Sequence, residues 1–190
     1  MSVKLDVPFI TQLGIGGHVK RSLMSRIKGT NKPNPIDDPT GCWYASACMV
    51  GYFFEKGPRL GIPELYKQAL GGGQLGHYAT GSDSARKLEA NHHDLLAERE
   101  QLEPVPNCAT QHAYTLDELE SLLNAGGPIF LYWMKSHGGQ SYGHASVIIG
   151  VDGKNVIYHD PEKAPNSKMK IDRFNEVRQN WKYALMQRKN

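Results

Sequence analysis

The chain has 190 residues, 39% of them hydrophobic, and its 22 lysines and arginines against 19 aspartates and glutamates give a formal charge of +3. This length and content suit one globular domain with a sizeable core, so we predict a single domain over residues 1–190. The basic residues are dispersed except at the two ends, which does not favour a nucleic-acid partner. No stretch reaches the roughly 18 apolar residues of a membrane span, and the N-terminus lacks an apolar leader, so we expect neither membrane association nor a signal peptide.

The cysteines and histidines indicate the redox setting and argue against a metal site. Cys42, Cys48 and Cys108 cannot all pair within one chain, and their spacing is typical of neither a disulfide framework nor a zinc site. His92 and His93 have no cysteine or aspartate at ligand spacing. We therefore expect a reducing compartment, no metal and no cofactor.

The first predicted element is a helix over residues 42–54. Its sequence, CWYASACMVGYFF, is apolar on every side, as in a helix that runs through a core. Asp38 is the candidate N-cap with Pro39 at the first helical position, and the Gly-Pro pair at 57–58 marks the end. Cys42 is thus expected in the first turn of a central helix.

Three further helices are predicted before the chain changes character. Residues 63–70 and 82–91 read as short helices, the first of them stopped by three glycines. Thr115 and Glu118 form a capping-box pattern, which is followed by leucines at 116, 119, 122 and 123 on one stripe. The Gly-Gly-Pro run at 126–128 ends this helix.

The C-terminal part reads as strands. Extended patterns cover residues 129–134, 145–151, 156–159 and 181–186, with a short helix over 172–178. A turn at 152–155 joins the second and third strands into a hairpin. Residues 14–37 and 136–143 are interpreted as linkers or loops. Helices first and an antiparallel sheet second predict an α+β fold.

A thiol attacks carbonyl carbon only as thiolate, and because its ordinary pKa is about 8.5 the protein must stabilise the anion. A helix start does part of this through its free N–H groups and dipole, and a nearby imidazolium does the rest. Cys42 has the first feature. His144 has the best setting for the second, because it opens an apolar strand that would hold its ring. Asp160, just past the paired strand, can orient that ring and stabilise its charge.

Five segments resemble successive motifs of compact bacterial papain-like cysteine peptidases: VPFITQ (7–12), GCWYAS (41–46), GPIF (127–130), GHASVIIG (143–150) and HDP (159–161). The resemblance implies a papain-like fold, with a central N-terminal helix that carries the cysteine packed on a C-terminal antiparallel sheet. It also implies a thiol protease with Cys42, His144 and Asp160 as the catalytic residues.

The resemblance further indicates residues around the reacting carbonyl. The family places an oxyanion-hole glutamine five or six residues before the nucleophile, where this chain has Ile36 and Asp37. Gln12 ends the matching phrase, so it is the expected donor beside the Cys42 backbone N–H, with an insertion over residues 13–39. Trp43 is expected half in the core and half in the cleft wall, and Gly143 is expected to let substrate backbone approach.

Several alternatives stay open. His159 is the main rival as base, His144 could be a core histidine, and Asp160 could merely begin a turn. Cys48 is interpreted as a core residue and Cys108 as an incidental loop residue. An NlpC-type peptidoglycan amidase and a transglutaminase or deamidase toxin use the same order of groups. A binding module that kept the fold would be expected to lack at least one of the three groups Cys42, His144 and Asp160, and none is missing.

The resemblance also implies a biological setting. Members of the family include plant-pathogen effector proteases and the toxic tips of contact-dependent and type VI secretion systems. We therefore expect an antibacterial toxin or effector that is delivered by a secretion system and cleaves a protein substrate in the reducing cytoplasm of a target cell. A producing cell would need a cognate immunity protein.

Overall fold

A computed structural model describes residues 2–12, 41–54, 97 and 100–188. Within these ranges the fold is α+β, with three helices and a seven-stranded antiparallel sheet. The elements in chain order are β1 (Ser2–Lys4), α1 (Gly41–Phe54), β2 (Leu102–Pro104), α2 (Leu116–Gly126), β3 (Ile129–His137), β4 (Gln140–Asp152), β5 (Asn155–Asp160), β6 (Ala164–Lys170), α3 (Ile171–Val177) and β7 (Leu185–Arg188).

The long strand β4 organises the sheet. The strand order is β2-β7-β3-β4-β5-β6, and β1 pairs with the end of β4 from Gly150 to Asp152. Gly150 is needed there because a Cβ at this position would run into the backbone of Val3 and Lys4. The N-terminal segment is therefore tied to the strand that carries His144.

Helices cover the sheet on both faces, as alternation along β3 shows. Phe130 packs in a core cluster with α1, whereas its neighbours Ile129 and Leu131 pack with residues of α2 and α3. Successive side chains of a strand point to opposite faces, so α1 lies on one face and the other two helices lie on the opposite one. This two-sided cover explains why the middle of β4 is fully buried.

The central helix is confirmed. α1 spans Gly41–Phe54, and Cys42 lies in its first turn. Ala45 and Ala47 are fully buried, and such small side chains let a helix approach its neighbours closely. The apolar character on every side of this helix corresponds to its place in the core.

The capped helix is also confirmed. Thr115 accepts a hydrogen bond from the Glu118 N–H, and the Glu118 side chain accepts from the Thr115 N–H. Leu119 and Leu123 of the leucine stripe are buried. Gly127 follows the helix with φ 75°, a left-handed value that favours glycine.

β3, β4 and β5 are longer than the sequence patterns predicted, and the prediction of a loop between β3 and β4 was wrong. Residues 136–143 do not form a loop, because β3 and β4 pair from Ile129↔Ile148 out to His137↔Gln140. Gly138 and Gly139, with φ 57° and 80°, make the tight turn. Polar residues at the end of an exposed hairpin lack the hydrophobic alternation by which strands are recognised.

The remaining C-terminal elements agree in part. The hairpin of β4 and β5 and the short helix α3 are confirmed, the latter over Ile171–Val177. The last strand runs over Leu185–Arg188 instead of 181–186. β1, β2 and β6 were not predicted, since they are short or polar strands at the margins of the sheet.

Several predictions fall outside the described residues. They are the helix signals at Asp38, Pro39 and 57–58, the helices over 63–70 and 82–91, the linker over 14–37, the insertion over 13–39, and the histidine pair at 92–93. Among the residues that are described, no helix has the length and apolar character needed to cross a membrane.

Candidate active site

The candidate nucleophile lies where a helix begins. Cys42 is the second residue of α1 and is 6% exposed. The N–H groups of a first helical turn have no partner within the helix, so they and the helix dipole favour a thiolate there.

The candidate base lies on β4 and is bonded to the candidate acid. His144 Nε2 is 2.7 Å from Asp160 Oδ1, and both residues are 1% exposed. The rings of Trp133 and Tyr142 meet the imidazole edge-on, with centroids 5.8 and 6.2 Å away. Trp133 is fixed in turn by its bond to Ser146 Oγ at 3.1 Å. The imidazole is thus held by packing as well as by hydrogen bonding.

The imidazole is strongly biased toward its charged form. Burial by itself lowers the pKa of His144, but hydrogen bonds and charge interactions with the side chains of Asp160 and Cys42 outweigh it and raise that pKa to about 9. Because Nε2 is bonded to Asp160, Nδ1 is the ring nitrogen left for the thiol. The three predicted groups therefore meet in the order thiol, imidazole, carboxylate.

The carboxylate is held charged by its surroundings. Burial opposes its ionisation, yet bonds to His144 and Lys135 hold the pKa of Asp160 down at about 2. The Glu162 N–H also donates to Oδ1 at 3.1 Å, and the Lys163 N–H donates to the Asp160 carbonyl at 3.0 Å. Asp160 thus ends β5, begins a turn and bonds to His144 at once.

Three polar residues next to this site were missed by sequence reasoning. Lys135 Nζ lies 2.7 Å from Asp160 Oδ2 and 2.6 Å from Glu162 Oε2, and the Tyr142 hydroxyl donates to Glu162 at 2.8 Å. Lys135 and Tyr142 are cross-strand partners in the hairpin end that was predicted to be a loop. Recognising that hairpin was the one signal that could have placed them beside His144.

The same cluster could in principle hold a cation. His144, Asp160 and Glu162 each offer a ligand atom within 4.8 Å of the others. However, the Lys135 ammonium is already bonded to both carboxylates, where a metal ion would otherwise balance their charge. Lysine and metal would compete for the same oxygens.

The predicted oxyanion donor lies against the turn that follows Asp160. The Gln12 N–H donates to the Pro161 carbonyl at 2.9 Å, and the Thr11 hydroxyl donates to the same oxygen at 3.1 Å. Gln12 is 3% exposed. These bonds fix the end of the N-terminal segment beside the acid of the site, and the role of Gln12 as a donor stays a prediction.

The two predicted substrate-binding residues are more enclosed than expected. Trp43 is 3% exposed and belongs to the core cluster around α1. A Cβ at Gly143 would overlap the Tyr132 hydroxyl, so the glycine makes room for that side chain. Contact of either residue with substrate stays a prediction.

The rival residues have structural partners. His159 Nε2 bonds to the Val7 carbonyl at 2.9 Å, and its Nδ1 accepts from the Asn166 N–H at 3.1 Å, so backbone groups occupy both nitrogens. Cys48 lies in the core cluster around α1. The Cys108 thiol is buried too and donates to the Lys182 carbonyl at 3.2 Å, and burial raises its pKa.

This fold, with Cys42, His144 and Asp160 close together, is that of a papain-like cysteine peptidase. Residues 28–179 match the family model of the papain-like cysteine protease AvrRpt2, and the chain belongs to that family. It is a thiol protease and therefore a hydrolase. The match includes Cys42, His144 and Asp160, whereas Gln12 precedes it.

A solved structure supports the fold independently. The chain is similar to a Bacillus anthracis protein described as a C39-like peptidase, with a TM-score of 0.54 and 16% sequence identity. The alignment covers 100% of this chain and 98% of that one. At this identity the similarity concerns the fold.

Proposed function

We propose that the chain is an endopeptidase in which Cys42 is the nucleophile, His144 the general acid and base, and Asp160 the group that orients the imidazole. The observation that carries the proposal is the position of His144, which bonds to Asp160 through Nε2 and has the Cys42 side chain as its other interaction partner. This arrangement supplies both groups that an activated thiol needs.

The proposed reaction has two halves. The Cys42 sulfur attacks the carbonyl carbon of the scissile peptide bond, and as the C–N bond breaks the His144 imidazolium gives its Nδ1 proton to the leaving amine. His144 then takes a proton from water, whose oxygen attacks the thioester carbon, and the C–S bond breaks to release the Cys42 sulfur. The acid product leaves, and the proton on His144 again faces the Cys42 sulfur.

The electrostatics suit this sequence at neutral pH. With a pKa of about 9, His144 is mostly imidazolium, so the proton for the leaving amine is already present. Asp160 stays a carboxylate throughout, because its pKa is held at about 2. We further propose that Gln12 and the Cys42 N–H bind the oxyanion that forms on the carbonyl oxygen.

The biological setting is proposed from the family. Secretion-delivered effectors and toxins occur among the proteins that this chain resembles, and three cysteines, which cannot all pair within one chain, suit a reducing compartment. We propose a type VI or contact-dependent toxin that cleaves a cytoplasmic protein of the target cell, with an immunity protein in the producer. This setting rests on resemblance and is separate from the chemistry.

Comparison of new protein N-termini across a bacterial proteome tests the reaction class. The chain is expressed in a bacterial cytosol as wild type, as Cys42→Ala and as Cys48→Ala, the last being a matched control on the same buried helix. New N-termini and growth arrest are expected with the wild type and with Cys48→Ala only. Altered muropeptides without new N-termini would indicate an amidase instead, and toxicity in folded Cys42→Ala would indicate a binding mechanism.

Thiol labelling tests the nucleophile without any substrate. Near pH 6, iodoacetamide is expected to label Cys42 far faster than Cys48 or Cys108, because Cys42 lies at a helix start next to the His144 imidazole, which is the setting of a reactive cysteine. Peptide mass mapping reports the order of labelling. Faster labelling of either other cysteine, or equally slow labelling of all three, would contradict the assignment.

A further inference from the structure

The carboxylate that orients His144 is itself anchored at its other oxygen. Asp160 Oδ1 bonds to His144 Nε2, and Oδ2 bonds to the Lys135 ammonium, each at 2.7 Å. A carboxylate bonded at both oxygens cannot rotate about its Cβ–Cγ bond without breaking one of the two. An anchor on Oδ2 therefore fixes the direction in which Oδ1 faces the imidazole.

Strand pairing places the lysine. Lys135 in β3 pairs with Tyr142 in β4, and His144 lies two residues after Tyr142. The Tyr142 hydroxyl donates to Glu162, whose other contact is the Lys135 ammonium. Lys135, Tyr142 and Glu162 thus form a closed set of contacts at the end of the hairpin.

Lys135 also balances the charge of two carboxylates. The side chains of Asp160 and Glu162 are only 1% and 13% exposed, and Lys135 Nζ is within 2.7 Å of both. Two poorly solvated carboxylates repel each other and are costly unless a cation compensates them. Without the ammonium, one carboxylate would take up a proton or turn toward solvent.

We infer that Lys135 is a positioning residue of the active site, which holds the Asp160 carboxylate in the orientation that His144 requires. The inference rests on the proposed roles of Cys42, His144 and Asp160. Lys135 makes no bond to the reacting atoms and acts through Asp160. Among the residues that the structure describes, the titratable groups near the imidazole are Cys42, Lys135, Tyr142, Asp160 and Glu162.

The Nε2 proton of His144 provides a direct spectroscopic readout. A ring proton bonded to a carboxylate at 2.7 Å and shielded from water resonates far downfield in proton NMR, and histidine-specific ¹⁵N labelling with His144→Gln assigns it. We expect Lys135→Met to broaden or abolish this resonance, because Asp160 loses its second anchor. Lys135→Arg should restore it, since a guanidinium can bond to both carboxylates.

A surface lysine offers the matched control. Lys168 pairs with Asp152 at 2.7 Å, but both side chains are about half exposed and lie outside the site. Lys168→Met should keep the resonance and the labelling rate of the wild type. Persistence of the resonance at wild-type intensity in Lys135→Met would overturn the inference.

Iodoacetamide labelling of Cys42 at pH 6 gives the functional readout. We expect Lys135→Met to lower the labelling rate by about 10-fold, with recovery in Lys135→Arg, because the thiolate needs a correctly held imidazolium. Slow labelling in the wild type itself would count against the proposed nucleophile. Fast labelling in the wild type that Lys135→Met leaves unchanged would count against the lysine alone.

A double variant keeps the test valid if Lys135→Met does not fold. Lys135→Met with Glu162→Gln removes the cation and one carboxylate together, so no uncompensated pair of negative charges remains. The Asp160 anchor is still missing, so the resonance and the rapid labelling should both be reduced. A folded double variant that retains both at wild-type levels would overturn the inference.

Discussion

Two buried histidines on neighbouring strands show how differently this sheet uses the same side chain. His144 on β4 bonds through Nε2 to the Asp160 carboxylate, and its other partner is the Cys42 side chain. His159 on β5 bonds through Nε2 to the Val7 carbonyl, and its Nδ1 accepts a hydrogen bond from the Asn166 N–H. One ring is held by side chains of the proposed catalytic site, and the other joins three backbone segments.

Burial opposes the charged form of both rings, yet the two pKa values move in opposite directions. Burial lowers the pKa of His159, and the charge of Lys4 lowers it further. The pKa of His144 rises to about 9, because hydrogen bonds and charge interactions with the Asp160 and Cys42 side chains favour the charged ring. The chemistry of the partners therefore decides which histidine is charged at neutral pH.

Replacing each histidine by glutamine is the most direct test of which of the two acts as the base. Glutamine has a donor group and an acceptor group, as a neutral imidazole does, but it cannot transfer a proton near neutral pH. We expect His144→Gln to lower kcat/KM by about 10⁴-fold or more, and His159→Gln to change it only a few-fold. Cleavage of a substrate identified by its new N-termini measures both. Equal losses in two folded variants would contradict the assignment of the base.

Asp160→Asn removes the anion that is bonded to His144 and has no counterpart at His159. The His144 imidazolium loses its anionic partner, so the pKa of His144 should fall, as burial already lowers the pKa of His159. Activity that needs the imidazolium should decline near pH 9 in the wild type, and this alkaline limb should move to lower pH in the variant. We also expect kcat to fall on the order of 10²- to 10³-fold, measured as a pH profile. An unmoved limb would show that another group sets the charge of His144.

Gln12→Ala tests a group that should act on neither histidine. An oxyanion donor stabilises charge that develops only in the transition state, so kcat should fall by about 10²-fold with little change in pH profile or Cys42 labelling. Thr11→Val is the matched control, because Thr11 bonds to the same Pro161 carbonyl as Gln12. Equal losses in the two variants would mean that the segment only anchors the turn. Near-full turnover in Gln12→Ala would move the donor to backbone amides or to residues 34–41.

Local patterns in the sequence were enough for the elements that have a strong period or a cap. The helix at 42–54 was predicted from its continuous apolar run, and the next described helix from the Thr115 and Glu118 capping box. The hairpin at 152–155 followed from turn residues between two apolar strands. Each of these signals lies within a few consecutive residues.

The missed features depend on contacts between distant residues. β6 is polar and half exposed, so its period is weak, and its place follows only from pairing with β5. Lys135 lies 25 residues before Asp160 and 27 before Glu162, so its contacts exist only once β3 and β4 are paired. The local setting of His144 and Asp160 and the family resemblance both pointed to these two residues, but neither carried information about the groups that support them.

The acid side of the stability curve offers the most subtle way to separate the two histidines. The folded state lowers the pKa of His159, so below its unfolded value of about 6.5 the unfolded chain binds the extra proton and stability falls as the pH falls. His144 behaves oppositely: its contribution is fully present below about 6.5 and is lost as the pH rises through about 9. We expect His159→Gln to lose less stability than the wild type between pH 7 and 5, by at most about 1.4 kcal/mol per pH unit for one proton. Urea unfolding at a series of pH values measures this, and parallel curves for the two proteins would show that His159 titrates as freely in the fold as it does in the unfolded chain.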